Sequence, residues 1–377
     1  IGRHGSRYHD SSKKFDKAPE KIRKAAETGM LTERGMALYR ELMKVDSATV
    51  GNLGKLSELG AEEHQMIAKR MYRRFPEVFS SEERIYVDAA SSTVKRCQES
   101  MMAFTKRLKK ERKSIKVNVH SGDSYMAYLL YKPADYFDIV HLGSDVTDSL
   151  AKALLDTTAF LSSIFKDPEE GAKLVSPSWK FMREVLIWGS IAPDIRLDDV
   201  CVPAYYTEDM RYQLAKVNAC RIYSEMCNSV ESGGRRMSLT ETLLSDFIAK
   251  ADAALTSGSQ RAADLRFAHD VSVAPLSALI GIEGCDKRLP AKDVWKYWMT
   301  SEYVPMAMNL QMVFYRKDGD TKCKDVLVKF LLNEQERLVP ALTPVEGPYY
   351  RWKDVRKFLL EKVKYAHEIN VRWGVAQ

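Results

Sequence analysis

From about Asp123 to Arg235 the chain almost stops offering strands, and no other feature limits its fold as much. Helical windows succeed one another there, at Tyr125–Tyr131, Ser149–Phe165, Trp179–Trp188 and Tyr206–Ser229. Pro133, Pro168, Pro177, Pro193 and Pro203 punctuate them, and Ser232-Gly233-Gly234 has the composition of a return hinge. On both sides of this block, strand and helix signals alternate. Strands are predicted at Glu83–Ala89, Ile115–His120, Leu265–Ala268, Met308–Tyr315 and Val326–Leu332. Helices are predicted over 19–45 with a break at Leu31–Gly35, over 61–75 with Pro76 closing it, and from Val94 into the basic run 105–113. Three more are predicted at Leu239–Leu255, Val271–Ile280 with Pro275 in its first turn, and Tyr349–Val363. Alternation of this kind indicates an α/β core; the helical block reads as an insertion into it.

The chain has 377 residues, enough for one large domain or two ordinary ones. It has no run of 18 or more apolar residues, so no membrane span is predicted. Its net charge of +7 suits an anionic partner without requiring one. Six cysteines lack Cys-x-x-Cys spacing, which argues against a zinc site and leaves disulfides open. Ile1-Gly2 reads as the end of a strand, so the natural protein is expected to begin upstream, where any signal peptide would lie.

The chemistry concentrates at Arg3-His4-Gly5-Ser6-Arg7. Two guanidiniums offer planar paired donors to phosphate oxygens, and an imidazole between them can attack phosphorus. A basic surface turn is the competing reading of the same residues. Further on, Arg96 falls in the first turn of a helix, where the free amides and helix dipole already favour an anion. Ser91-Ser92-Thr93 before it offers N-cap chemistry. His269-Asp270 comes just after a predicted strand, at the strand end where ligands of α/β sheets gather. Lys13, Lys14 and Lys17 either reach a second substrate phosphate or form a solvated charge run. His9-Asp10 is weak as a metal pair. His64, among polar neighbours, reads as a surface or capping histidine; His120 and His141 read as structural.

Arg-His-Gly-x-Arg resembles the signature of the histidine phosphatase superfamily. The later motifs resemble its larger branch, the histidine acid phosphatases. Arg96-Cys97-x-x-Ser100-x-x-Ala103-Phe104 is most similar to the multiple inositol-polyphosphate phosphatases, whereas His269-Asp270 resembles the acid phosphatase and phytase motif; the inositol-polyphosphate enzymes usually carry His-Ala-Glu there. The resemblance implies a central, mainly parallel sheet flanked by helices, with core residues 1–122 and 236–377 and a mostly helical insertion at 123–235. It implies His4 as nucleophile, Asp270 as proton donor, and Arg3, Arg7, Arg96 and His269 as phosphate ligands. It calls for no metal or cofactor, and it implies a small phosphomonoester, such as an inositol polyphosphate, cleaved at acidic pH by a periplasmic or secreted enzyme.

Three other readings stay open. One is a mutase-like phosphoryl transferase of the same superfamily, which the insertion and Asp270 disfavour. Another is a non-catalytic anion-binding protein. The third is a nucleic-acid binder using residues 105–116; that run lacks interleaved aromatics, and no nucleic-acid partner is expected.

Overall fold

The structure, a computed structural model, describes residues 1–10, 18–79, 85–130, 132, 141, 143–256, 259–317, 319–320 and 322–375. It divides into two compact units. One comprises Ile1–Gly5, Ala61–Ser144 and Ala219–Gln377; the other comprises Ser6–Gly60 and Asp145–Asn218.

The first unit is built on a parallel sheet of β1 (Gly2–Arg3), β2 (Tyr86–Ser91), β3 (Lys116–Ser121) and β4 (Arg261–Ala268), in the order β1-β4-β2-β3. Parallel neighbours need long crossovers, and helix Lys95–Glu111 supplies the one between β2 and β3. The register decides which residues leave the strands together. Arg3 lies opposite Ala268 and Ser91 opposite Phe267, so the residues after β1, β2 and β4 emerge side by side. A second, antiparallel sheet joins β5 (Leu310–Tyr315), β6 (Leu327–Leu332), β7 (Gln335–Arg337) and β8 (Tyr350–Arg351). The chain leading into β5 covers the free side of β1: Arg3 N donates to Met308 O at 2.7 Å and Leu310 N to Ile1 O at 2.9 Å.

Helix Lys95–Glu111 presents Cys97, Met101, Phe104 and Leu108 at helical spacing, and all four are buried. The last three pack with Val87, Ala89, Leu265 and Phe267 of β2 and β4. On helix Asp270–Ile280 every residue from Ser272 onward is buried. Pro275 sits in its interior and not in the predicted first turn. A proline there cannot bond the carbonyl four residues back. That carbonyl, Val271 O, accepts instead from Arg236 Nη2 at 3.3 Å.

The second unit is helical. Helices Ala18–Glu27 and Glu33–Thr49 bury Ile22, Leu38, Leu42 and Val45 in one core with Phe160, Ile164, Phe181 and Trp188. Thr32 caps the second of these helices by accepting from Gly35 N at 3.0 Å.

The α/β class and the mainly parallel sheet are as expected. The units divide the chain at points other than 122 and 236. Residues 6–60 group with the helical block because their apolar faces are buried there, and 123–144 and 219–235 group with the sheet. Leu129 and Tyr223 belong to the core formed around helices Glu241–Ala254 and Asp270–Ile280. All six cysteines are free thiols. Among the described residues, no helix is long and apolar enough to cross a membrane.

Phe104 is a direct test of this packing. Its ring meets Phe267 edge-on at 5.5 Å, two residues before His269. Phe104→Ala should destabilise the first unit by about 3–5 kcal/mol. Denaturant unfolding should show a lower midpoint at unchanged slope.

Candidate active site

The carboxyl ends of β1, β2 and β4 bring His4, Ser92 and His269 together, with Arg96 and Asp270 in the first turns of the helices after β2 and β4. His4 is held by its backbone on both sides. Its N–H donates to Ala268 O at 3.0 Å, and its carbonyl accepts from Ala307 N at 3.1 Å. The next amide, Gly5 N, donates to Ser100 Oγ at 3.2 Å, tying the turn to the helix that carries Arg96. The His4 ring is 2% exposed and stands edge-on to His269, with centroids 5.6 Å apart. Its Nδ1 lies 2.9 Å from Gly5 O. A carbonyl can only accept, so Nδ1 carries the proton and Nε2 keeps the lone pair.

Arg3 is fixed by three acceptors: Val304 O at 2.8 Å, Pro305 O at 3.1 Å and Asp270 Oδ2 at 2.8 Å. Asp270 also accepts from Val271 N at 2.8 Å. Burial would raise its pKa, but the Arg3 guanidinium beside it prevails and holds it well below the usual carboxylate range. His4 is pushed well below the ordinary imidazole value, first by burial and then by Arg3 and Arg96. His269 is pushed down to about 3 by burial and by Arg96, against the opposing charge of Asp270. The site therefore pairs cationic guanidiniums with neutral imidazoles. Nε of Arg3 and Nε of Arg96 are buried without an acceptor among the described residues.

Residues 203–333 match the family model described as the histidine phosphatase superfamily, branch 2. The match covers 131 of the 377 residues, about a third of the chain. The matched stretch contains His269 and Asp270; Arg3, His4, Arg7 and Arg96 lie outside it. Solved structures with the same fold include the Bifidobacterium longum multiple inositol polyphosphate phosphatase in complex with inositol hexasulfate. It is 22% identical, with 95% of this chain and 90% of that one covered, at a TM-score of 0.76. The phytase from D. castellii is 15% identical over 96% of this chain and 78% of that one, at 0.69. The Klebsiella sp ASR1 phytase is 13% identical over 97% and 95%, at 0.51. No curated protein matches the chain in sequence.

The expected residues Arg3, His4, Arg96, His269 and Asp270 share the first unit. Arg7 belongs to the second, where Nη1 donates to Tyr8 O at 2.8 Å and Nη2 lies 3.8 Å from Asp10 Oδ2. Lys13, Lys14 and Lys17 lie outside the described residues. Asp270, expected as an acid, is a carboxylate paired with Arg3. Three further expectations change. The helix after β2 is N-capped by Val94 with no side-chain bond, and Ser92 meets His269 Nε2 at 3.1 Å instead. His64 is buried, not on the surface, and its Nε2 donates to Arg3 O at 3.1 Å. His9 stacks on Trp188 at 4.4 Å and bonds Trp188 O, which occupies it structurally. The supporting contacts of His64, Ser92, Cys97 and Ser100 were not readable from sequence: Ser92 reads there as a cap, Cys97 and Ser100 only as part of the motif with Arg96, and it is packing that brings them to the site.

Burial gives the protein an acid sensitivity of defined sign. His9 and His64 are pushed down to about 4 and His269 to about 3, chiefly by burial, and His4 is also depressed. Each binds a proton more readily once unfolded, near pH 6.5. Their stabilisation is complete above that pH and is lost as pH falls toward 4 and then 3, by up to about 1.4 kcal/mol per pH unit for each histidine. Urea unfolding at pH 7, 6 and 5 should show steadily falling stability, and His64→Gln should flatten the slope. A pH-independent midpoint would contradict this assignment.

Proposed function

We propose that this phosphatase hydrolyses phosphomonoesters through a phosphohistidine on His4, with inositol polyphosphates such as phytate as its substrate class. The observation that carries the reading is the state of His4: neutral, immobilised, and with the Nε2 lone pair left free by the Nδ1–Gly5 bond.

Nε2 of His4 attacks phosphorus, and the bond from phosphorus to the ester oxygen breaks on the opposite side. Arg3, Arg96 and His269 bind the phosphoryl oxygens and offset the charge that builds up on them. The buried Nε–H groups of Arg3 and Arg96 support this, because an oxyanion would satisfy both. Asp270 gives a proton to the departing alkoxide. Water then attacks the phosphohistidine, Asp270 takes a proton from it, and cleavage of the P–N bond frees phosphate and returns His4.

The carboxylate of Asp270 needs a proton before the first step. Two routes supply it: a substrate monoanion brings one, or a bound phosphate dianion competes for Arg3 and raises the Asp270 pKa. The first weakens as pH rises past about 6, where a phosphomonoester loses its second proton, and the second weakens once pH passes the raised pKa of Asp270. This supports an acidic optimum, bounded from below by the acid sensitivity of the fold. The substrate class rests on fold likeness to the Bifidobacterium longum enzyme, whose complex holds inositol hexasulfate.

Asp270→Asn tests the proton donor. An alkyl alcohol leaves poorly without a proton, whereas nitrophenolate leaves well. The variant should slow inositol or sugar phosphates by about 10²–10⁴-fold and nitrophenyl phosphate far less, with phosphate release as the readout. An equal loss on both would remove Asp270 from the role. Phosphate passed to an acceptor with none released would favour the mutase-like alternative.

A further inference from the structure

The environment of His269 carries an inference about how its proton is placed. The ring is buried and neutral, so one nitrogen is a donor and the other an acceptor. Among the described residues, Nε2 has Ser92 Oγ at 3.1 Å and Cys97 Sγ at 3.5 Å as hydrogen-bonding neighbours, and Nδ1 has the same sulfur at 3.9 Å.

The protons of these neighbours can be assigned from their acceptors. Burial raises the Cys97 thiol to about 11, so it keeps its proton, and Sγ–H donates to Ala268 O at 3.1 Å. Ser92 is fully buried. Its main chain is fixed by Ser92 N donating to Phe267 O at 3.1 Å and by Ser121 Oγ donating to Ser92 O at 3.3 Å. Its hydroxyl also lies beside the Cys97 sulfur, a much weaker acceptor than an imidazole nitrogen. The Ser92 proton therefore goes to Nε2.

We propose that Ser92 is a positioning residue whose hydroxyl donates to Nε2 of His269 and fixes the ring as its Nδ1–H tautomer, leaving Nδ1–H as the donor to a phosphoryl oxygen. The inference rests on the proposed place of His269 in the phosphate pocket. Ser92 itself does not touch the substrate. Without its hydroxyl, Nε2 faces only sulfur among the described residues; the ring proton can then move to Nε2 as an N–H···S contact, and Nδ1 becomes an acceptor that repels an oxyanion.

Nitrogen NMR of the full chain with labelled histidine, together with titration by inorganic phosphate, tests this. The parent protein should show His269 as Nδ1–H. Ser92→Ala should move the proton toward Nε2 and weaken phosphate binding roughly 3- to 10-fold, the worth of one hydrogen bond. Ser92→Thr keeps a hydroxyl and should restore both. The Nδ1–H signal of His4, held by Gly5, should stay unchanged in all three. An Nε2–H tautomer in the parent overturns the proposal without recourse to any variant, as does Ser92→Ala keeping the parent tautomer and affinity. His269→Ala separates the two ideas. If it binds phosphate as the parent does, His269 loses its place in the pocket, while the parent tautomer still decides what Ser92 holds.

Discussion

The site depends on a two-residue strand held along both edges. β1 pairs with β4 on one side and with the chain at 307–310 on the other, so His4 N and His4 O are both bonded to neighbouring backbone. His64 and Ser100 secure the flanking carbonyl and amide. A free loop histidine would sample several rotamers and lose reactive geometry to that freedom. Here the entropy cost is met by folding, and the ring meets a substrate already oriented. The parallel register carries the same precision to His269 and, through the β2 turn, to Ser92 and Arg96.

Charge and burial then divide the labour. Burial keeps both imidazoles neutral, which preserves a lone pair on His4 at pH values where an exposed histidine would be protonated. The guanidiniums reinforce this and, in the proposed mechanism, supply the attraction for phosphate. Arg3 serves two partners in turn, Asp270 in the free protein and the phosphoryl group in the proposed complex. In that proposed complex, release of Asp270 by the arriving anion would couple binding to the readiness of the acid. The same burial makes the fold less stable in acid, so the environment that keeps His4 neutral also limits the pH range of the enzyme.

Much of this was legible in the sequence. Period-2 and helical patterns marked the longer strands and nearly all the long helices. The motifs at 3–7, 96 and 269–270 pointed to phosphate chemistry through their residue types and their positions after strands, and the structure brings Arg3, His4, Arg96, His269 and Asp270 into one unit. Helical periodicity shows which face of a helix is apolar but not what covers it. For this reason residues 18–49 could not be grouped with Phe160 and Trp188 from sequence. Short β7 and β8 carry too few residues to show alternation. Ser92 read as a cap because serine before a helix usually is one; the register that turns it toward His269 exists only once β2 and β4 pair. The ionisation of Asp270 likewise comes from Arg3, 267 positions away in the chain.

The most direct test of the central claim is whether phosphorus becomes bonded to His4. Turnover of a radiolabelled phosphomonoester should be quenched within milliseconds, with the protein then mapped under alkaline conditions that spare phosphohistidine. The account predicts an acid-labile label on His4 Nε2 that forms and decays at rates competent for turnover, and none in His4→Ala. Full activity in His4→Ala, or label on another residue of the parent enzyme, would contradict it.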